Sequence, residues 1–409
     1  MLRSMFSAIS GLRGHQIMMD VIGNNIANVN TVGFKSGRVN FQDILSQTFR
    51  GASAPQGGLG SINPAQVGLG MTVAGIDVLH TQGNLQSTGR LTDMAIQGDG
   101  FFVLSDSARQ YYTRDGAFDI SLDGTLVNPA LGLKVQGWVA NAAGVVDTTT
   151  SVTDILIPLG QRTTALPTST SSLRGNLDAG AVVGDTASTT INVYDTLGIR
   201  HPIKVTFTKT AANAWSWAAA TDPTDVGTST TSTGTATFTS AGIFSASTGS
   251  PMSIAFTNGA TTPASVPIDF TAMTQFSGAS AISGLTDGFT SGTLVTFTIG
   301  SRGDITGVYT NGQTQALGQI AMAGFVNPAG LIRQGQNLFA ESSASGDPGI
   351  GQPGTGGRGT VTTGSLEMSN VDLATQFTGM ITAERGFQAN GRVITTSDEM
   401  LQELVNLKR

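Results

Sequence analysis

The sequence predicts a multidomain, mainly β protein with α-helical termini. The N- and C-terminal helices are expected to form a coiled-coil layer that encloses nested, discontinuous β domains. Three observations predict this. The C-terminal stretch carries Leu366, Leu373, Met380, Phe387, Ile394 and Leu401, an apolar residue at every seventh position. The N-terminus carries Leu2, Met5, Phe6, Ile9, Leu12, Met19 and Ile26 at close to the same 3-4 spacing, and a seven-residue repeat is the coiled-coil period. Everything between is rich in Gly, Thr, Ser and Ala and reads as β-strand. Sticky helices at both ends of a β body suit a subunit that polymerises.

Taken in order, residues 1 to about 27 read as an amphipathic helix weakened by Gly11, Gly14 and Gly23, each costing about 1 kcal/mol against Ala. Such a helix is marginal alone in water. The Asn-rich run Asn24–Thr31 breaks it in turns. A short helix is expected at Phe41–Phe49, followed by a Gly-rich loop from Gly51 to Gly70. Strand signals begin near Met71, and Asp123-Gly124 between two short apolar runs marks a hairpin. From 149 to about 296 the composition shifts to Thr/Ser/Ala/Gly tracts that still hold strands, as at Ile191–Tyr194 and Ile203–Phe207. From 297 the character of residues 72–148 returns, and it ends in a Gly/Pro loop at Gly346–Gly359. In the C-terminal helix Ser369 and Asp372 fit a capping box, and Lys408 and Arg409 suit the negative end of its dipole. A second seam is poorer: Phe377 and Val405 fit, whereas Glu384, Gly391 and Asp398 do not. The expected organisation is a terminal helical coiled-coil domain (1–28 and 365–409), a linker segment (29–71), an inner β domain (72–148 and 297–364) and an outer inserted β domain (149–296).

Composition narrows the function. Hydrophobic residues make up 39% of the chain, enough for real cores, while charged residues are only 12%, against about 25% in an average soluble domain. The net charge is −6 with no basic block, which argues against a nucleic-acid partner. There is no cysteine, so disulfides and thiol chemistry are excluded. No apolar run approaches the ~20 residues of a membrane span. Ser7, Ser10, Gly11, Arg13 and Gly14 interrupt the N-terminus, so no cleavable secretory signal is expected.

Signs of catalysis are weak. His15, His80 and His201 match no metal-ligand spacing. Gly354–Gly359 matches GxGxxG literally, but its Pro/Gly surroundings read as a loop and not as a strand–turn–helix. Asp115, Asp119 and Asp123 are better explained by turns than by an acidic site. Trp215 and Trp217 share a strand face, which suits packing better than a sugar platform. No cofactor, no metal and no catalytic residue is expected.

Several blocks are more specific. Ile22–Ile26 and Ala27–Lys35, including Asn28, Thr31, Gly33, Phe34 and Lys35, resemble the N-terminal signature of the bacterial flagellar rod and hook axial protein family. Asn63–Gly70 is similar to the family's linker. Leu91–Phe102, with Gly98, Gly100, Phe101 and Phe102, and then Tyr112–Gly116, are similar to its inner β domain. Gly364–Leu373, with Ser369, Asn370, Val371 and Asp372, and Glu384–Asn390 are similar to its C-terminal region. Val193–Gly198 and Tyr309–Ala321 resemble the ends of the outer domain found in the hook-type members. The resemblance implies a structural, non-enzymatic subunit that forms a homopolymeric helical tube, curved and flexible, acting as a universal joint between motor and filament. It implies an extracellular position on the flagellum and export by the flagellar type III apparatus. It also implies the distal rod, the hook cap and the hook–filament junction proteins as partners. A rod-type axial subunit, an adhesin-like β protein and a glycan-acting enzyme on the outer domain stand as alternatives.

Overall fold

The computed structural model describes residues 2–52, 54–55, 63–141, 144–160, 162–163, 165–221, 228–230 and 232–407. The two terminal cations Lys408 and Arg409 lie outside the described residues, as does the side chain of Leu2. The fold is mainly β with a helix at each end, α1 (Leu2–Ala27) and α2 (Leu373–Asn406), packed against each other. The chain divides into two compact units: Met1–Ile157 with Thr298–Thr306 and Ala316–Arg409, and Pro158–Phe297 with Gly307–Gln315.

α1 and α2 run antiparallel, because contacts fall along α2 as they rise along α1. Gly11 faces Asn390, His15 faces Gly386, Ile22 faces Gly379, and Asn25 bonds Gln376. The buried stripe is made of small and polar side chains more than of large apolar ones. Ala8, Gly11, Ile22 and Asn25 are buried on α1, and Ala383 and Ser397 on α2. A Cβ at Gly11 would lie 2.6 Å from Asn390 Nδ2, and one at Gly386 would lie 2.5 Å from His15 Nε2. These glycines lower helix propensity but permit a close interaxial approach. Gly14 does the same towards a different neighbour, since a Cβ there would strike Met71 and Phe41. Gly23 has nothing within 4 Å.

The expected helix at Phe41–Phe49 is absent. Residues Gly37–Asp43 (β1) and Ser46–Arg50 (β2) are strands, as are Ala65–Gly68 (β3) and Met71–Val78 (β4). β1 pairs with β4 and β2 with β3, both antiparallel. Ile44 N–H to Gly70 O (3.2 Å) and Leu69 N–H to Leu45 O (2.9 Å) join them into one long ribbon. The helical spacing of Phe41, Ile44, Leu45 and Phe49 is overridden by this ladder and by packing on α1, where Phe41 meets Gly14 and His15.

The rest of the first unit is a β body. Phe101–Ser105 pairs with Gln110–Thr113, which pairs with Leu338–Ala340; Met94–Gln97 pairs with Thr360–Thr363, and Leu85–Ser87 with Ser365–Glu367. Both ends of the chain therefore enter the same body as paired strands. Its core holds Phe101, Val103, Tyr112, Ala323, Leu331 and Phe339. Burial pushes the Tyr112 hydroxyl up to about 12, with Glu341 adding to the shift. The Asp123-Gly124 turn joins Asp119–Ile120 to Leu126–Val127, with Leu126 opposite Ile120.

In the second unit a five-stranded antiparallel sheet (Thr186–Tyr194, Arg200–Ala211, Ala214–Thr221, Thr233–Phe238, Phe244–Ser247) shares one core with two three-stranded sheets. Trp215 and Trp217 are buried at its centre, the latter 5.6 Å from Phe270 between ring centroids. They pack and present no platform.

Two substitutions separate the roles of the helix glycines. Gly11→Leu should force α1 from α2 and lower the helical signal in circular dichroism. Gly23→Ala, facing open space, should raise helix stability by about 1 kcal/mol and the melting temperature with it.

Candidate functional site

The sequence motifs meet where the two chain ends join. Lys35 follows α1 by eight residues, and Glu367 precedes α2 by six. Their side chains form an ion pair of 2.6 Å, Lys35 Nζ to Glu367 Oε1, with both side chains at 0% exposure. Arg114 Nη1 reaches the other carboxylate oxygen at 3.2 Å, and Gly83 N–H donates to Oε1 at 2.9 Å. Lys35 Nζ also donates to Thr81 O at 2.8 Å. Burial lowers the pKa of Lys35 from 10.5, and Glu367 works against that shift. A lowered lysine pKa means that the linked stability rises as pH climbs towards 10.5 and is lost below it. At neutral pH, burying this lysine is therefore a cost that the carboxylate offsets.

The remaining motif residues extend the junction. Gly33 donates its N–H to Glu367 O (2.7 Å) at φ +68°, and a Cβ there would lie 2.6 Å from Asp115 N, so only glycine suits the position. Arg333 stacks over the Phe34 ring at 5.3 Å and donates to Lys35 O. Asn370 Oδ1 accepts from Ser36 N–H (2.8 Å), while its Nδ2 donates to Leu79 O (2.8 Å) and Thr81 Oγ1 (2.9 Å). Asn28 accepts from the Thr31 hydroxyl at 3.1 Å and closes the turn after α1. Gly98 and Gly100 sit in the turn before Phe101, at positive φ, and Phe101 and Phe102 are both core. Val371 is half-buried beside Asn370, its N–H turned to Ser369 Oγ at 3.3 Å.

The capping-box reading is corrected in one respect. The N-cap of α2 is Asp372, accepting from Ala374 N–H (2.9 Å) and the Thr375 hydroxyl (2.7 Å), so the helix starts three residues later than a Ser369 cap requires. These bonds, the Thr375 hydroxyl first, lower the pKa of Asp372.

Sequence reasoning passed over Glu367, Arg114, Arg333, Asn25 and Gln376 as site residues. Asn25 is 1% exposed and pairs its amide with both backbone groups of Gly37 (2.8 and 2.9 Å) and with Gln376 Oε1 (3.0 Å). A usable signal existed, because in a chain with only 12% charged residues a lone Glu367 between Leu366 and Met368 on a strand is conspicuous.

The apolar heptad residues are distributed over two faces. Met5, Leu12, Met19, Ile26, Met380, Ile394 and Leu401 are half-buried. Phe6, Ile9, Leu373, Phe377 and Phe387 are exposed, Phe6 at 68% and Phe377 at 50%. The helix pair therefore hides its small residues and leaves several of its large apolar side chains in solvent.

The acidic and glycine-rich motifs sit in turns and loops. Asp115 and Asp123 cap turns through Ala117 and Thr125, and Asp119 pairs with Arg90 at 3.1 Å. The Gly354–Gly359 segment lies between the strands Gly349–Gly351 and Thr360–Thr363, with no helix after it. Among the described residues no group of three or more His, Asp or Glu side chains could hold a metal ion, and no helix is long and apolar enough to cross a membrane.

Fold and junction together define a mainly β subunit whose two chain ends are clasped at one buried ion-pair cluster. Four family models match in order: flagella basal body rod protein (5–35), flagellar hook protein FlgE/F/G D1 domain (95–171), flagellar basal body protein FlaE D2 domain (169–289) and flagellar basal body rod FlgEFG protein C-terminal (362–407). The flagellar hook protein FlgE of Treponema pallidum is 42% identical over 100% of both chains, and that of Borreliella burgdorferi is 41% identical over 100% of both. A crystal structure of the Helicobacter pylori flagellar hook protein FlgE2 shares the fold, with a TM-score of 0.56 at 14% identity, covering 69% of this chain and 100% of that one. The chain belongs to the flagellar hook protein family and is a structural subunit of the hook in flagellar motility.

Removing the shared carboxylate tests the junction. Glu367→Gln leaves Lys35 and Arg114 buried without a counter-charge and should cost about 3–5 kcal/mol, read as a denaturant transition of the first unit at lower concentration with that of the second unchanged. Histidine supplies a pH test. His80 is held down to about 4, by burial first and then by Lys35, Arg114 and Arg333. A depressed histidine contributes stability that is present above pH 6.5 and lost as pH falls towards 4. His80→Phe should therefore flatten the acid loss of stability between those pH values.

Proposed function

We propose that the chain polymerises into a curved, flexible helical tube that serves as a universal joint, passing motor torque to the filament. The observation that carries this is the helix pair: tightly seated through Gly11, Gly386 and Ala383, yet exposing Phe6, Phe377 and Phe387 to solvent. In the tube, neighbouring copies cover that face and form an inner helical layer, the burial stabilising helices that one subunit holds only marginally. Residues 1–28 and 365–409 act as this layer, 29–71 as the linking ribbon, 72–148 with 297–364 as the inner β domain, and 149–296 as the outer one. Short polar side chains and low charge on the outer domain suit contacts that slide as the tube rotates under bending.

The role is structural and not enzymatic. Its location is the extracellular hook on the basal body. Its partners are further copies, the distal rod, the hook cap, the hook–filament junction proteins and the type III export apparatus.

Electron microscopy under polymerising salt tests this reading. Leu373→Asp and Phe387→Asp place charges on side chains that are each 39% exposed in the single chain. Both variants should stay folded and monomeric while the parent forms curved tubes; normal tubes from both would refute the helical-layer reading. Replacing residues 158–297 by a short Gly/Ser linker should leave polymers that form but lose their curvature.

A further inference from the structure

The chain has three Asn-Gly pairs, at Asn258, Asn311 and Asn390. An asparagine amide followed by glycine is open to attack by the next backbone nitrogen, because glycine has no side chain in the way. Two of the pairs are guarded. Asn390 lies inside α2, where the Gly391 N–H belongs to the helix ladder, and its Nδ2 donates to Gly386 O at 3.0 Å. At Asn311 the Gly312 N–H is bound to Tyr309 O at 2.9 Å, while the amide donates to Thr290 O (2.8 Å) and accepts from Gln313 N–H (3.1 Å). Asn258 differs. The Gly259 N–H meets no acceptor among the described residues, and a Cβ at Gly259 would have nothing within 4 Å.

The groups around the Asn258 amide suit the loss of its nitrogen. Its Oδ1 accepts the Ala260 N–H at 3.1 Å, a donor that stabilises negative charge developing on that oxygen. Its Nδ2 donates to Asp195 Oδ2 at 2.5 Å, and the same oxygen faces His201 Nε2 at 3.2 Å, with the His201 and Asp195 side chains 2% and 0% exposed. Asp195 Oδ1 accepts from the N–H groups of Leu197 and Ile199 at 2.9 and 2.8 Å. Burial pushes the Asp195 carboxyl up, but the bonds from Asn258, Ile199, His201 and Leu197 outweigh it and hold the group below its ordinary range. An ionised carboxylate only accepts, so His201 presents a proton to it on Nε2.

We propose that Asn258 is a site of spontaneous deamidation, promoted by the folded arrangement of Gly259, Ala260, Asp195 and His201. Gly259 N gives its proton to water and bonds to Asn258 Cγ. The Cγ–Nδ2 bond breaks, and the nitrogen leaves as ammonia with a proton passed from His201 Nε2 through Asp195 Oδ2. His201 regains a proton from water. A second water opens the five-membered imide and leaves an aspartyl or isoaspartyl residue at position 258. The product carries a carboxylate where Asp195 met a donor, and two like charges in one pocket repel. The turn from Asp195 to Ile199, which Asp195 holds through Leu197 and Ile199, is loosened as a result. The inference concerns a single chain and does not rest on the tube.

Full-length protein is held in warm neutral buffer, folded and in guanidinium chloride, and peptide mass spectrometry follows all three pairs. Folded Asn258 should gain about one mass unit roughly tenfold faster than the same residue in denaturant. Asn311 and Asn390 should convert more slowly folded than denatured. Converted protein should exchange the Leu197 and Ile199 amides faster than fresh protein. His201→Gln keeps a donor towards Asp195 but has no proton to release. It should slow conversion of Asn258 about tenfold and flatten its pH dependence around neutrality, which lost packing alone would not do. A folded rate at Asn258 no higher than the denatured rate, a comparison that needs no variant, overturns the proposal. So does a rate and pH profile that His201→Gln leaves unchanged.

Discussion

Glu367 carries its charge at 0% side-chain exposure, and the arrangement of both chain ends follows from that. A buried carboxylate is tolerated only when its lone pairs are met. The groups that meet them come from three distant places: Lys35 just after α1, Gly83 and Arg114 from the β body, all converging on the strand that leads into α2. Satisfying one side chain thus fixes the exit of the first helix beside the entry of the second. Gly33, Asn370 and Arg333 reinforce the same junction through backbone groups. Replacing such a cluster with apolar residues often stabilises a protein, and the lowered pKa of Lys35 shows what burial costs here. The cluster is better understood as setting register between the chain ends than as a source of net stability.

Register matters because of what it positions. Gly11, Gly386 and Ala383 let α1 and α2 approach closely, but small side chains bury little apolar area and so contribute little hydrophobic free energy. Phe6, Phe377 and Phe387 turn outward. A pair of this kind is placed by the junction as well as by its own close contacts, which suits the proposed covering of its exposed side chains by neighbouring copies. The ribbon from β1 to β4 lies along α1 through Gly14, Phe41 and Met71, adding a second support at its N-terminal half.

The mainly β fold with helical ends was legible because periodicities of seven and of two leave plain marks. The Asp123-Gly124 hairpin was legible because its turn chemistry is local. What was hidden depends on partners far away in sequence. Phe41–Phe49 has helical spacing, and only pairing with residues 65–78 decides for strand. Gly11 reads as a defect until Asn390 stands opposite it. Glu367 reads as one more acidic residue until Lys35 and Arg114 close on it from 332 and 253 positions away. The N-cap fell on Asp372 and not on Ser369 because Asp372 accepts from Ala374 and Thr375, a choice that spacing alone does not settle.

Hydrogen–deuterium exchange, compared between monomer and polymer, separates the junction from the helices most directly. The account predicts that amides around Gly33, Gly83 and Glu367 are protected equally in both states, whereas those of α1 and α2 exchange fast in the monomer and slowly in the tube. Helices as protected in the monomer as in the tube, or a junction protected only after assembly, would contradict it.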